Sequence, residues 1–458
     1  MHSWLSILPP VIAIAVAIWR KEVILALVVG IFSAEIILAS GNPLTAFVET
    51  AERCVDVFQS AGDTRVLLFG LLVGALLELI RASGGVSAFV QRLTQSGLTK
   101  SRRQVSWLAS IIGMLIFVET SMSCLAAGVV SQPLFDRFKM SRARLAYLVD
   151  STCAPVSVLV LLNGWGAYIL SLIEPQLEGQ AVAIMVQSIP LNFYALLTLA
   201  AVAYTATTTR VHGPMKQAEL TLNIAGSESV EAPTQSRFMI VPMIVLVGGM
   251  LSFMFLTGDS EATGILARIT SGSGSRSVLW AVFLATVTAI VLLKVHGRFK
   301  YPEMVQLSMK GMGHLLPVVI IMLLSFAIGA ACKELQTGPY VAGMVGDFLP
   351  AFLVAPLLFI AAGFISFTTG TSWGTFAILI PVGLPLAASM GLPPAFVLAS
   401  VLGGGVFGDH CSPISDTTII SSLASGCDHL EHVKTQLPYA LTVGVVSVAL
   451  YALVGLAL

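Results

Sequence analysis

Ten apolar runs, at about residues 4 to 19, 23 to 40, 65 to 80, 105 to 118, 185 to 205, 238 to 257, 278 to 293, 314 to 332, 350 to 367 and 437 to 457, each approach the ~20 residues that a bilayer demands. Inside a bilayer the backbone must satisfy its own polar groups, so runs of this length are expected as helices. Only 10% of the 458 residues are charged and 56% are hydrophobic, and mean hydropathy is +0.91. A soluble domain of this size would not have that composition, and the expectation is an all-α polytopic membrane protein. The first run, Leu5 to Trp19, is followed by Arg20 and Lys21 and not by a small-residue cleavage site, so it reads as a span and not as a signal peptide.

Four further stretches, 119 to 135, 144 to 173, 371 to 390 and 394 to 424, are apolar but interrupted by Gly, Pro and polar residues. Scored as broken helices or re-entrant hairpins, they bring the expectation to about 11–14 membrane segments. Lys and Arg total 24 and so do Asp and Glu, so the net charge of zero points to neither nucleic acid nor a polybasic membrane clamp. Five basic loops, marked by Arg20, Arg92 to Arg103, Arg137 to Arg144, Arg210 to Arg237 and Lys294 to Lys300, fall on the cytoplasmic side by the positive-inside rule. The acidic or mixed loops around Glu49 to Asp63, Glu174 to Glu178 and Asp259 to Glu261 then lie outside. The six cysteines form no CxxC pair, which leaves a disulfide framework or zinc site without support and no cofactor expected.

The two parts of the chain resemble each other. Thr120 and Ser121 recur as Thr371 and Ser372, Pro133 as Pro385, and CAPVS at 153–157 as CSPIS at 411–415, with Asp150 and Asp409 shortly before each. The charge map puts Thr120 toward the outside and Thr371 toward the inside, so the copies are expected as two inverted repeats, the architecture of secondary transporters. The corresponding division is N-terminal spans over 1–64, a first half over 65–205, a cytoplasmic linker over 206–236, connecting spans over 237–313 and a second half over 314–458.

Gly403 to Ser422 carries the strongest chemical signal. It sets Asp409, Asp416, Ser412, Ser415 and Thr417 between apolar flanks, with Pro413 removing a backbone donor. Ionisable residues inside a membrane segment pair, line a wet cavity or carry an ion, so these oxygens are candidate ligands for Na+ or, at a carboxylate, for H+. Their first-half counterparts are taken as Glu119, Asp150, Ser151 and Thr152, while Thr371, Ser372, Thr120 and Ser121 are expected to face the same cavity. Plainer roles exist for several of them. Asp416 could cap a helix, Glu119 could be an interfacial acid, and Asp150 could cap a helix or pair with Arg142 or Arg144. His410 reads as structural, and CDHLEH at 427–432 as a solvated loop. A Mg2+-dependent enzyme is disfavoured because no basic residue lies between Lys333 and Lys434 to meet a phosphate. A nucleotide-binding GxxxxGK[ST] is also missing, so ion gradients must drive any transport.

GTSWGT at 370–375, FGDHCSPISDTTIISS at 407–422, CDH at 427–429, TQLPYA at 435–440 and DRFKMSRARLAYLVDSTCAPVS at 136–157 resemble the NhaC-type Na+/H+ antiporter family, over about residues 65 to 450. The resemblance implies a bacterial inner-membrane protein that exchanges Na+ for H+, with relatives that exchange malate for lactate or import amino acids. It also implies the inverted repeats and hairpins of the wider ion transporter superfamily. Expected partners are therefore Na+, H+, the lipid bilayer and, on the alternative reading, a small organic solute. A homodimer is among the expected assemblies, since dimers are common in such folds. One departure bears on substrate: where the family commonly carries a paired acid, this chain has Glu119 followed by Thr120, Ser121, Met122 and Ser123, with one acid missing. That favours the alternative of a Na+-coupled amino acid or carboxylate carrier.

Overall fold

The computed structural model describes residues 4–20, 22–95, 100–117, 120–160, 162–177, 179–220, 234–260, 264–337, 340 and 349–458. Among these every regular element is a helix. Six helices are long and apolar enough to cross a membrane alone, and three bent pairs raise the number to nine if each pair crosses once. The expectation of about 11–14 segments counted runs that fold as shorter pieces. The first two apolar runs become helices of 13 and 16 residues, Leu8–Arg20 and Val23–Leu38. The run at 185 to 205 divides into Ala181–Leu191 and Phe193–Thr208, bent by 46° just after Pro190. Most of the expected linker, 221–233, lies outside the described residues, and its start holds the short helix Pro214–Leu220.

Eleven helices position the site. In the first half they are α1 (Ala61–Ala82), α2 (Arg102–Leu115), α3 (Thr120–Arg137), α4 (Arg142–Leu159) and α5 (Gly164–Ile173). In the second they are α6 (Tyr301–Glu334), α7 (Val354–Thr369), α8 (Ser372–Ser389), α9 (Pro394–Cys411), α10 (Asp416–Ser425) and α11 (His429–Ala457). The pair α3 and α8 are both 18 residues long, as are α4 and α9, while α5 and α10 are both 10. Their boundaries repeat at one spacing of 252 residues: Thr120 to Ser372, Arg142 to Pro394, Leu159 to Cys411, Gly164 to Asp416 and Ile173 to Ser425. Arg102 and Val354, which begin α2 and α7, obey the same spacing, and so do Pro133 inside α3 and Pro385 inside α8.

That spacing corrects one part of the sequence reading. CAPVS and CSPIS lie 258 residues apart, six out of register, because CAPVS is interior to α4 whereas CSPIS starts on the last residue of α9 and runs through the break after it. The equivalent of Asp409 is therefore Ser157 and not Asp150. In each half the bend falls between an 18-residue and a 10-residue helix, by 41° between α4 and α5 and by 49° between α9 and α10. The halves interlock: α10 packs against α3 and α4, α5 against α8, and α6 crosses α1.

Candidate functional site

Gly370 ends α7 with a left-handed φ of +72°, and a Cβ there would come within 2.5 Å of the Ile414 carbonyl oxygen. The chain turns sharply, Thr371 becomes the extended residue before α8, and Ser372 becomes its first residue. One helix away, a side chain on Gly408 would collide with the Gly363 carbonyl and with Ser366, so α9 lies directly on α7. These two close approaches bring Asp409, on the last turn of α9, against the start of α8.

Asp409 is 1% exposed. Its carboxylate accepts from Ser372 Oγ and, at 3.1 Å, from Ser415 Oγ, and Ser415 Oγ is in turn 3.1 Å from Thr417 Oγ1. A buried carboxylate is costly unless it is hydrogen-bonded, and here two hydroxyls and the positive N-terminal end of α8 face it. Ser412 is spent elsewhere. Its Oγ donates to the Phe367 carbonyl at 2.8 Å and accepts from Ile414 N–H at 3.3 Å, which closes the break. Asp416 opens α10, accepts from Thr417 N–H at 2.8 Å and is exposed to a cavity described below.

The first half repeats the arrangement without the charge. Thr120 Oγ1 lies 3.1 Å from Ser157 Oγ, and Asn163 Nδ2 donates to the Ser157 carbonyl at 2.9 Å. Thr120, Ser157 and Asn163 stand one repeat ahead of Ser372, Asp409 and Ser415. Glu119 lies outside the described residues, as does the side chain of Ser121.

Asp150 belongs to a second buried network. From α4 it reaches the other half, accepting from Gln436 Nε2 (2.6 Å), Ser421 Oγ (3.2 Å) and Thr418 Oγ1 (3.4 Å). Arg142 and Arg144 have other partners, Asp136 at 2.6 Å and Glu219 at 2.9 Å. Thr152 turns its hydroxyl back to the Leu148 carbonyl at 2.7 Å, and Ser151 is buried beside it. The reading of CDHLEH as a solvated loop is overturned. Asp428 caps α11 by accepting from Glu431 N–H at 2.9 Å, and His432 is fully buried with Nε2 3.0 Å from Gln436 Oε1. His410 is buried as well, with Nδ1 3.0 Å from the Tyr194 hydroxyl. Sequence reasoning missed Gln436 and His432. The signal was present, one helical turn separating two polar residues at the head of an apolar run. No group of three His, Cys, Asp or Glu side chains is placed to hold a metal ion among the described residues.

The cavity, of about 170 Å3, lies where α5 and α10 begin. Thr120, Gly164, Trp165, Trp373, Asp416 and Thr417 line it, and α1 and α6 close it with a largely apolar wall. Thr417 thus joins the cavity to Asp409 through a single intervening hydroxyl, that of Ser415. Chemically, the site offers a buried carboxylate and three hydroxyl oxygens to a small hard cation or proton, beside a chamber too large for an ion alone.

The model of the Na+/H+ antiporter family matches residues 156–456. An uncharacterised protein of Haemophilus influenzae is 32% identical, across 98% of this chain and 90% of its own length. The arginine/ornithine antiporter ArcD of Halobacterium salinarum is 30% identical over a shorter stretch, 31% of this chain and 29% of that protein. The solved structure of the Alcanivorax borkumensis YdaH transporter covers 89% of this chain and 88% of its own with a TM-score of 0.60, and at 15% identity it is a likeness of fold.

Proposed function

This chain belongs to the Na+/H+ antiporter family, and from that premise we propose that it exchanges Na+ for H+ across the bacterial inner membrane by alternating access. That it is a multi-pass membrane protein and a secondary transporter follows from the family and the fold. The observation that carries the finer reading is Asp409, sealed from water at a helix break with Ser372 and Ser415 donating to its carboxylate. Na+ would sit among the carboxylate and the oxygens of Ser372, Ser415 and Thr417, whose hydroxyls reorient to present lone pairs. A proton on the same carboxylate removes its charge and turns an acceptor into a donor, so Na+ and H+ exclude each other. Exchange needs only that this one group open to each side in turn, with residues 65–205 and 314–458 acting as inverted units that rock against each other.

A second reading, Na+-coupled carriage of an amino acid or small carboxylate, is favoured by the cavity, whose 170 Å3 exceeds what an ion needs, and by the relative named for arginine and ornithine. The test is ΔpH in proteoliposomes on adding Na+, Li+ or K+, with wild type and Asp409→Asn. Dissipation of the gradient by Na+ in wild type and its loss in the variant is the expected result. A folded, inserted wild type that gives no cation-dependent ΔpH overturns antiport.

A further inference from the structure

We propose that the cavity at the heads of α5 and α10 binds a small organic ammonium ion, held by the Asp416 carboxylate against the indoles of Trp165 and Trp373. The inference rests on the secondary-transporter reading, and not on Na+ being the ion at Asp409.

Size is the first ground. The cavity's 170 Å3 compares with the ~10–15 Å3 of probe-occupied volume that a single water needs. A dehydrated metal ion would leave most of it empty, whereas a molecule of several heavy atoms fills it.

Charge is the second. Asp416 and His314 are the two titratable side chains lining it, and no Lys or Arg is among the described lining residues. A solute bearing only carboxylates would meet the Asp416 carboxylate, with His314 the one basic side chain among the described lining residues to offset it. A solute bearing an ammonium group would meet a carboxylate, the hydroxyls of Thr120 and Thr417, and two indoles whose ring centroids are 5.5 Å apart. Carboxylate and aromatic face together are the recognised means of holding an organic ammonium ion.

Asymmetry is the third. Gly164 stands one repeat ahead of Asp416, so the cavity is bounded by the same position twice, once with a carboxylate and once with no side chain. Packing does not require that glycine. A Cβ on Gly164 would find only the edge of Trp373, at 3.9 Å, which is ordinary contact. The free space is therefore available to a bound molecule, and Asp416, the one carboxylate among the described lining residues, orients it with its ammonium end toward α10. Because Thr417 bonds to Ser415 and Ser415 to Asp409, a solute that displaces Thr417 also disturbs the ion site, a direct physical route for coupling.

The test is equilibrium titration of tryptophan fluorescence in the purified full chain at fixed Na+, with propylamine, 1,4-diaminobutane and lysine against propionate and malate. The three ammonium compounds are expected to give saturable changes and the two carboxylates none. Propylamine and lysine compared directly tell a simple amine site from an amino acid site. Asp416→Asn should weaken amine binding at least tenfold, and Gly164→Asp, which supplies a second carboxylate at the mirrored position, should tighten 1,4-diaminobutane and weaken lysine. Saturable binding of malate with none by the amines overturns the proposal, and so does unchanged amine affinity in Asp416→Asn. The wild-type contrast decides even if a variant fails to fold. ΔpH measured on the same preparations keeps a failure of this site separate from a failure of Na+/H+ exchange.

Discussion

Ser157 and Asp409 occupy the same place in two helix hairpins of equal length, 252 residues apart, and only the second is a carboxylate. Each is held by the first residue of the preceding helix, Ser157 by Thr120 at 3.1 Å and Asp409 by Ser372. The repeat has kept the frame in both halves and the charge in one. Ser157→Ala should therefore leave Na+-dependent ΔpH close to that of wild type, since it removes two neutral hydrogen bonds, to Thr120 Oγ1 and the Cys153 carbonyl, and no charge. Asp409→Asn should abolish it. Equal loss from both variants would mean that the halves share the chemistry.

The hydroxyls around Asp409 are expected to set cation affinity. A hydrogen bond to a charged group is worth ~1.5–3 kcal/mol, roughly ten- to a hundredfold in an equilibrium constant. Ser415→Ala removes an oxygen that touches both the carboxylate and Thr417, and it should raise the Na+ concentration for half-maximal ΔpH by roughly tenfold. Ser412→Ala should leave that concentration unchanged, because Ser412 closes the break through the Phe367 carbonyl. The measurement is the Na+ dependence of ΔpH at one fixed pH.

Much of the proposed ion site was legible in the sequence because polar residues in an apolar run have few explanations. Asp409, Ser415 and Thr417 were named there as candidate ion ligands and Ser372 as facing the same cavity, and the structure brings the four together. Register was not legible. CAPVS and CSPIS look alike over five residues, yet helix ends fix the repeat, and those depend on where Gly370 and the break after Cys411 interrupt the backbone. The partners of Asp150 were hidden for another reason. Gln436 is 286 residues away in the chain and bonds to it at 2.6 Å, and no local pattern reports such a contact. CDHLEH was misread because a helix that begins with polar residues has the composition of a loop, although His432 faces inward.

The contact from Asp150 to Gln436 ties α4 of the first half to α11 of the second, and Ser421 and Thr418 on α10 complete the tie. Removing the carboxylate leaves one Gln436 N–H buried without its acceptor, at a cost of ~1–3 kcal/mol, while the other bonds to the His410 carbonyl and the hydroxyls of Thr418 and Ser421 keep the Asp409 carbonyl and Cys124 Sγ as acceptors. Asp150→Ala should lower the thermal unfolding midpoint in detergent, while Asp150→Asn, which retains one acceptor oxygen, should lower it less. An unchanged midpoint for Asp150→Ala would show that the network contributes nothing to joining the halves.

Two glycines make opposite predictions. Gly408 lies against the Gly363 carbonyl and Ser366, with no room for a Cβ, and it is the residue before Asp409. Gly408→Ala must push α9 off α7, an overpacking cost of ~1–3 kcal/mol that also moves Asp409 away from Ser372. It should therefore lose both thermal stability and cation-dependent ΔpH. Gly164 has a free approach, its nearest neighbour to a new Cβ being Trp373 at 3.9 Å. Gly164→Ala should fold and exchange ions as wild type does, since the added methyl enters the cavity and not the interface between helices. Unfolding midpoints and ΔpH for the pair, measured side by side, check both. If Gly164→Ala were the destabilised variant and Gly408→Ala the neutral one, the close packing of α9 on α7 would not be what holds Asp409 in place.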